Sequence, residues 1–348
     1  MIINLSETTS SKISAALLRA RRSAGSPAMG MVLTLIIVSD DSEYAGALQA
    51  SMRAGREHPS RILLVVKGHD RHSSLDAEVR IGEGMPGEVV IVRMHGAVAA
   101  HPASVLRPLL LPDSPVVIWW PAKSPTNVST DELAGLAVRR LTDAAQAARP
   151  LTSLRARAEH YLAGDTDLSW TRLTPWRALL AASLDQYPAR IKAAVVEAER
   201  NNPSADLLAA WMRDRLDVEV ARQVTDGPGI TAVRMTTAAG DIAITRPDGL
   251  LASYTVPGQP ERLVALKRRD VAELITEELR RMDADDVYER TVKQLTTRAP
   301  EAASKKTAAQ RKSTTKKPAT KKPATKKPTA KKPTAKTAGS KPGKESQD

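Results

Sequence analysis

The chain of 348 residues contains no cysteine and no phenylalanine, and aromatic residues make up only 3% of it. Without Cys there is no disulfide, no thiolate metal site and no thiol redox switch. A reducing compartment suits such a chain, and the expectation is a cytoplasmic protein. Without Phe, the core has to come from Leu, Val, Ile, Ala and a few Trp, and an apolar content of 42% is enough for one. A long hydrophobic run is missing too. The most apolar stretch, residues 29–38, is about half of what a membrane span needs. The opening Met1-Ile-Ile-Asn-Leu-Ser-Glu lacks the basic-then-apolar order of a secretory signal. No H-E-x-x-H, G-x-S-x-G or P-loop occurs, and no acid, base and nucleophile converge, so the residues leave an enzyme open but unsupported, and no metal or cofactor is expected.

Positive charge is abundant but local. Of a net +13, twelve charges fall beyond residue 300, where fourteen Lys and one Arg face three acids. There KKPAT, KKPAT, KKPTA and KKPTA repeat every five residues from Lys316. Pro in each repeat forbids a helix and the scarcity of apolar groups forbids a core, so 299–348 is expected to be a disordered Lys/Pro/Ala/Thr tail. Its lysine pairs, Lys316 and Lys317, Lys321 and Lys322, Lys326 and Lys327, Lys331 and Lys332, favour salt-dependent contact with polyanions. A merely solubilising tail is the plainer reading.

Before the tail, hydrophobic periodicity divides the chain. Residues 1–163 read as an α/β domain with a mixed sheet: helices over 10–24 and 42–55, and strands over 31–38, 62–66, 75–81, 89–94 and 116–120. Further helices are expected over 131–140 and 151–162. Residues 164–298 read as an α+β domain. It has a strand over 191–199, a helix over 203–216, an antiparallel meander between 218 and 256, and two closing helices.

Several motifs attract attention and lose it. Gly82-Glu-Gly-Met-Pro-Gly87 matches a dinucleotide fingerprint, yet strand-like Glu88-Val-Val-Ile-Val follows where a helix is needed, and its acids repel phosphate. His69-Asp70-Arg71-His72 sits in a polar loop with no further metal-ligand spacing. Arg222, Arg234, Arg246 and Arg262, with Lys267-Arg268-Arg269, form either a basic face or a solvated sheet surface.

The segment from Gly164 to Ala181 is the densest. Thr174 is placed to cap a helix with Pro175 in its first turn, and Trp176, Leu179, Leu180 and Leu184 recur at core spacing. Trp170 and Arg172 precede that helix, on what reads as an approach loop, where a large aromatic and an Arg favour partner contact. Asp165 and Asp167 resemble a metal-binding D-x-D but more simply orient Arg172 or Arg177, or cap the helix. Trp119 and Trp120 close a strand, and alternation sends their rings to opposite faces, one of them free to meet a cleft or partner.

Leu110-Leu-Pro-Asp-Ser-Pro-Val-Val-Ile-Trp-Trp-Pro121, Asp167-Leu-Ser-Trp-Thr-Arg-Leu-Thr-Pro-Trp-Arg177, Arg56-Glu-His-Pro-Ser-Arg61 and Arg139-Arg-Leu-Thr-Asp143 resemble blocks of the bacterial glucose-6-phosphate dehydrogenase assembly (OpcA) family. The resemblance spans roughly residues 1–298. It implies a non-catalytic protein that binds glucose-6-phosphate dehydrogenase and promotes its active oligomer, supporting NADPH supply through the oxidative pentose phosphate pathway. Some relatives in phototrophs are tied to thiol control, a route closed to a chain without Cys. On this view Trp170, Arg172 and Arg177, with Trp119 or Trp120, anchor the enzyme. Two other readings of the residues stand beside it: a sugar-phosphate or nucleotide enzyme with its ligand near Asp165 and Asp167, and a nucleic-acid-associated protein acting through its tail.

Overall fold

A computed structural model describes residues 1–24, 30–68, 72–82 and 87–297. The tail lysines, the loop at 69–71 and the centre of the Gly82–Gly87 motif lie outside these. Met1–Ala299 forms one compact unit.

Its first half opens with β1 (Ile2–Leu5), α1 (Ser10–Ala24), β2 (Leu33–Ser39), α2 (Tyr44–Ala54), β3 (Ser60–Lys67), β4 (Leu75–Ile81) and β5 (Glu88–Met94). There follow α3 (Pro102–Leu106), β6 (Val116–Trp120), β7 (Arg139–Thr142), α4 (Pro150–Glu159) and β8 (Asp165–Asp167). The strands make one sheet in the order β1-β4-β5-β3-β2-β6-β7-β8. From β5 to β8 every neighbouring pair is parallel, and β4 and β1 add antiparallel on the β5 edge.

Counted along the chain, the six parallel strands lie in the order 3-2-1-4-5-6, that of the doubly wound dinucleotide-binding sheets. Their β-branched runs follow from burial on both sides. One face packs Ile36, Leu63, Val65 and Trp120 against α1 and α3. The other packs Leu35, Ile37, Leu64 and Trp119 against α2 and against Leu274 and Ile275, which arrive from far along the chain.

The second half runs α5 (Leu168–Thr171), α6 (Thr174–Gln186), β9 (Ala193–Ala198), α7 (Pro203–Leu216), β10 (Val220–Val224), β11 (Ile230–Thr236) and β12 (Asp241–Thr245). It ends with β13 (Leu251–Thr255), β14 (Arg262–Ala265), α8 (Val271–Glu278) and α9 (Asp286–Thr297). Its sheet has the order β10-β9-β11-β12-β13-β14, with β9 and β10 parallel across α7 and the remaining pairs antiparallel.

Val196, Val233, Ile244 and Tyr254 face the core shared with α6, α7 and α9. The alternate positions, Val195, Arg234, Thr245, Ser253 and Leu263, stand on the opposite face and outside the buried core. An Arg234–Glu197 ion pair of 2.7 Å lies among them.

Three local expectations are corrected. Residues 131–140 are no helix: short 3-10 turns lead into β7, whose Arg139 is buried and hydrogen-bonded. Trp170 stands in α5, not on a loop. Thr174 does not cap α6, because Leu173 holds the cap position and the Thr174 hydroxyl donates to Glu277 at 2.7 Å. An Asp270–Glu273 capping box starts α8.

Candidate functional site

The strand order reverses between β2 and β6, where a doubly wound sheet opens a crevice beyond its carboxyl ends. A cavity of about 400 Å³ lies there, lined by residues including Ser39, Asp40, Glu43, Lys67, Trp120 and Lys123. In a dinucleotide-binding sheet the first strand enters a Gly-rich turn whose N–H groups cradle a pyrophosphate. Here β2 runs into Ser39-Asp40-Asp41-Ser42-Glu43 and then α2. That turn has no glycine, and it carries three carboxylates, Asp40, Asp41 and Glu43, whose charge repels a phosphate there. The Gly82–Gly87 motif joins β4 to β5, antiparallel neighbours with Ile81 opposite Glu88, as a hairpin does. Sequence reading had no signal for this crevice, because the strand order is invisible until the strands pair.

The Trp/Arg segment forms the junction between the two halves. The Trp170 ring is 1% exposed. Its Nε1 donates to Asp285 Oδ2 at 2.8 Å, Tyr288 packs with centroids 5.7 Å apart, and the Arg177 guanidinium lies 3.7 Å above its centroid. Arg172 is held bidentately by buried Asp143, at 2.7 Å through each nitrogen. Asp167, fully buried, accepts from the Thr142 hydroxyl and Ala144 N–H with one oxygen and caps α5 through Ser169 N–H with the other. Asp165 pairs with Arg140.

The paired acids therefore do not orient Arg172 or Arg177. Asp143 holds the first, and the second rests on Trp170 beside the Thr174 hydroxyl. Trp119 and Trp120 point to opposite faces as alternation predicts, and both are buried, with Trp120 at the wall of the crevice beyond β2 and β6. Among the described residues no cluster of His, Asp and Glu is arranged to hold a metal.

Sequence reading missed the centre of this junction, Glu278. Its carboxylate accepts from Arg139 Nη2 and from the Thr171 hydroxyl, each at 2.6 Å. Arg139 also donates to Thr166 Oγ1 at 2.8 Å and to the carbonyls of Arg281 and Asp283. Burial pushes the Glu278 carboxyl above its ordinary 4.5, against the pull of Arg139 and the Thr171 bond. A raised folded-state pKa means that the native chain binds more protons than the unfolded one between the two values. This group's contribution to stability is thus fullest below 4.5 and declines as pH rises through the folded-state value. Urea titrations across that range are expected to show the decline in the parent and a flatter profile in Glu278→Gln; identical profiles would exclude the linkage.

With this geometry in hand, the comparisons with known proteins decide the family. The model of the glucose-6-phosphate dehydrogenase subunit N-terminal domain (OpcA) matches residues 51–159, and that of the C-terminal domain matches 163–292. The chain belongs to the OpcA family. Its role is in glucose-6-phosphate dehydrogenase assembly, and that enzyme is its partner.

No curated protein matches the OpcA chain significantly. Among solved structures, it is similar to a variant of KijD10, a 3-ketoreductase from Actinomadura kijaniata, with 12% identity, TM-score 0.44 and coverage of 76% of this chain and 95% of that one. A dehydrogenase (MviM) from Clostridium difficile is similar with 7% identity and TM-score 0.41, over 76% and 97%.

Proposed function

We propose that this OpcA-family chain acts on glucose-6-phosphate dehydrogenase without catalysing a reaction of its own, by binding the enzyme and favouring its active oligomer. The observation that carries the reading is the acidic, glycine-free turn after β2, set where a dinucleotide's pyrophosphate belongs in a sheet of this order. Such a turn supports a binding role for the fold rather than hydride chemistry. The protein acts in the cytoplasm on NADPH supply, and no described helix is long and apolar enough to cross a membrane. The lysine tail adds sequence-independent attraction to polyanions.

The enzyme docks on the open face of the second sheet. Thr245, Ser253 and Val195 make it flat and weakly polar, its Arg234–Glu197 charges are already paired, and Leu263 at its edge is 68% exposed. Trp170, Arg172 and Arg177 serve the contact from behind, by fixing the junction on which the sheet rests, and Trp119 and Trp120 do the same for the first sheet. A ligand that prefers one assembly state shifts the population toward it by its difference in affinity.

The test mixes the purified full chain with the dehydrogenase from the same cell. A shared size-exclusion peak and a faster NADP reduction are expected, with no turnover by the chain alone. Separate peaks with an unchanged rate across a wide concentration range sink the proposal.

A further inference from the structure

A second cavity, of about 500 Å³, lies beside the junction, between the amino end of α7, the β10–β11 turn and the segment from Leu266 to Asp270 that leads to α8. Five cationic side chains line it, Arg172, Arg246, Lys267, Arg268 and Arg269, against only Glu199 and Asp270. Three of the five are neutralised within the protein. Asp143 holds Arg172, Glu273 takes Lys267 at 2.7 Å, and Glu277 takes Arg269. Asp270 is occupied as well, capping α8 and meeting Arg53 at 2.9 Å.

Arg246 and Arg268 remain. Arg246 is 5% exposed, with its Nη atoms on the carbonyls of Leu266 at 2.8 Å and Ile230 at 3.3 Å. Its Nε has no hydrogen-bond partner, and no carboxylate pairs with it among the described residues. The Trp176 ring lies 5.0 Å from the guanidinium. Burial, then the like charge of Arg268, push Arg246 down to about 10, with Asp248 opposing. A buried cation beside a second cation, with no carboxylate in contact among the described residues, is costly to keep empty-handed.

Arg268 is exposed and also lacks a carboxylate partner among the described residues. Two glycines with positive φ hold its berth: a Cβ on Gly229 (φ +69) would come 2.5 Å from Arg268 Nη2, and one on Gly249 (φ +77) 3.1 Å from its Nε. A side chain at Gly229 would displace the guanidinium, and one at Gly249 would crowd it. The fourteen-residue α7 turns its amino end, capped by Asn202, toward the same space, adding the positive end of its dipole.

We propose that this cleft binds a phosphate monoester on a body of sugar or mononucleotide size, with Arg246 and Arg268 taking the phosphate. Two guanidinium forks match the oxygens of a phosphate dianion better than those of a lone carboxylate. The volume suits a small metabolite, and Leu173, Ile230 and Leu266 give its body an apolar wall. The site is independent of the assembly role, since it is complete within this chain.

Calorimetric titration of the full chain alone tests it, with glucose 6-phosphate, adenosine 5′-monophosphate and inorganic phosphate as probes. One of the two esters is expected to bind one-to-one, about tenfold or more tighter than inorganic phosphate. Arg268→Ala is expected to weaken that binding about ten- to hundredfold, with the melting temperature unchanged because the side chain is exposed, and Arg268→Lys is expected to fall between. Contact with the tail is common to parent and variants and so drops out of the difference. The ester that binds tells a sugar body from a nucleoside one. Failure of both esters to bind one-to-one, equal binding of inorganic phosphate, or undiminished binding by Arg268→Ala each overturns the proposal.

Discussion

Trp170→Ala is expected to lower the unfolding free energy by about 3–5 kcal/mol, the range for deleting a large buried aromatic. The indole is 1% exposed, so its loss leaves a cavity that the junction is poorly placed to fill. Asp285 Oδ2 loses the indole donor, and Arg177 loses the π face on which its guanidinium rests. Contact of this kind adds about 0.5–2 kcal/mol. Tyr288, tilted against the indole, and Tyr161, edge-on to Tyr288, lose their backing. Trp170→Phe restores part of the volume but not the hydrogen bond, and its cost is expected at about half. Equilibrium urea unfolding of the three chains checks this. A loss below about 1 kcal/mol for the alanine variant shows that Trp170 does not hold the junction together.

The second large effect is expected at the opposite side of the same half. Thr245→Arg puts a charge in the middle of the open sheet face, where the Thr245 hydroxyl now meets Ser253 at 2.7 Å. The free protein tolerates it, because the arginine extends into water. In a complex the charge would be buried without a partner, which costs several kcal/mol and weakens affinity by roughly a hundredfold or more. Co-elution with the dehydrogenase and stimulation of its rate are expected to disappear together, with the melting temperature within a degree or two of the parent's. A variant that still binds places the enzyme on another surface. Measured side by side, the two substitutions separate a damaged fold from a blocked interface: the tryptophan variant loses stability first, the threonine variant binding alone.

What the chain discloses before folding depends on how local the cause is. The strands over residues 33–39, 60–67 and 116–120 are legible because burial on both faces demands unbroken β-branched runs. β7 is only four residues long and carries two arginines, so its neighbourhood reads as polar helix; what makes it a strand is parallel pairing with β6 and β8, while the Arg139 side chain is taken up by Thr166 and Glu278. Trp170 reads as exposed for the same reason. Its position before Pro175 is visible, while the partner that buries its N–H is Asp285, more than a hundred residues later. The bidentate Arg172–Asp143 pair joins two of the family's sequence blocks, yet spacing alone does not reveal which acid meets which arginine. The phosphate cleft is harder still, since it depends on knowing that three of five cations are already neutralised.

The return of α8 to the first sheet has a consequence for synthesis. Leu274 and Ile275 are fully buried against strands made from residues 33–66, with the entire second sheet translated in between. While the chain is still emerging, the face of the first sheet that carries Leu35, Ile37 and Leu64 has only α2 and Leu168 of α5 to shield it. A nascent chain halted before residue 271 holds an open apolar surface, a binding site for chaperones and a route to aggregation. Completion of the amino-terminal half therefore waits for nearly the last helix to leave the ribosome, and the two halves are better regarded as one cooperative product than as modules that mature in turn.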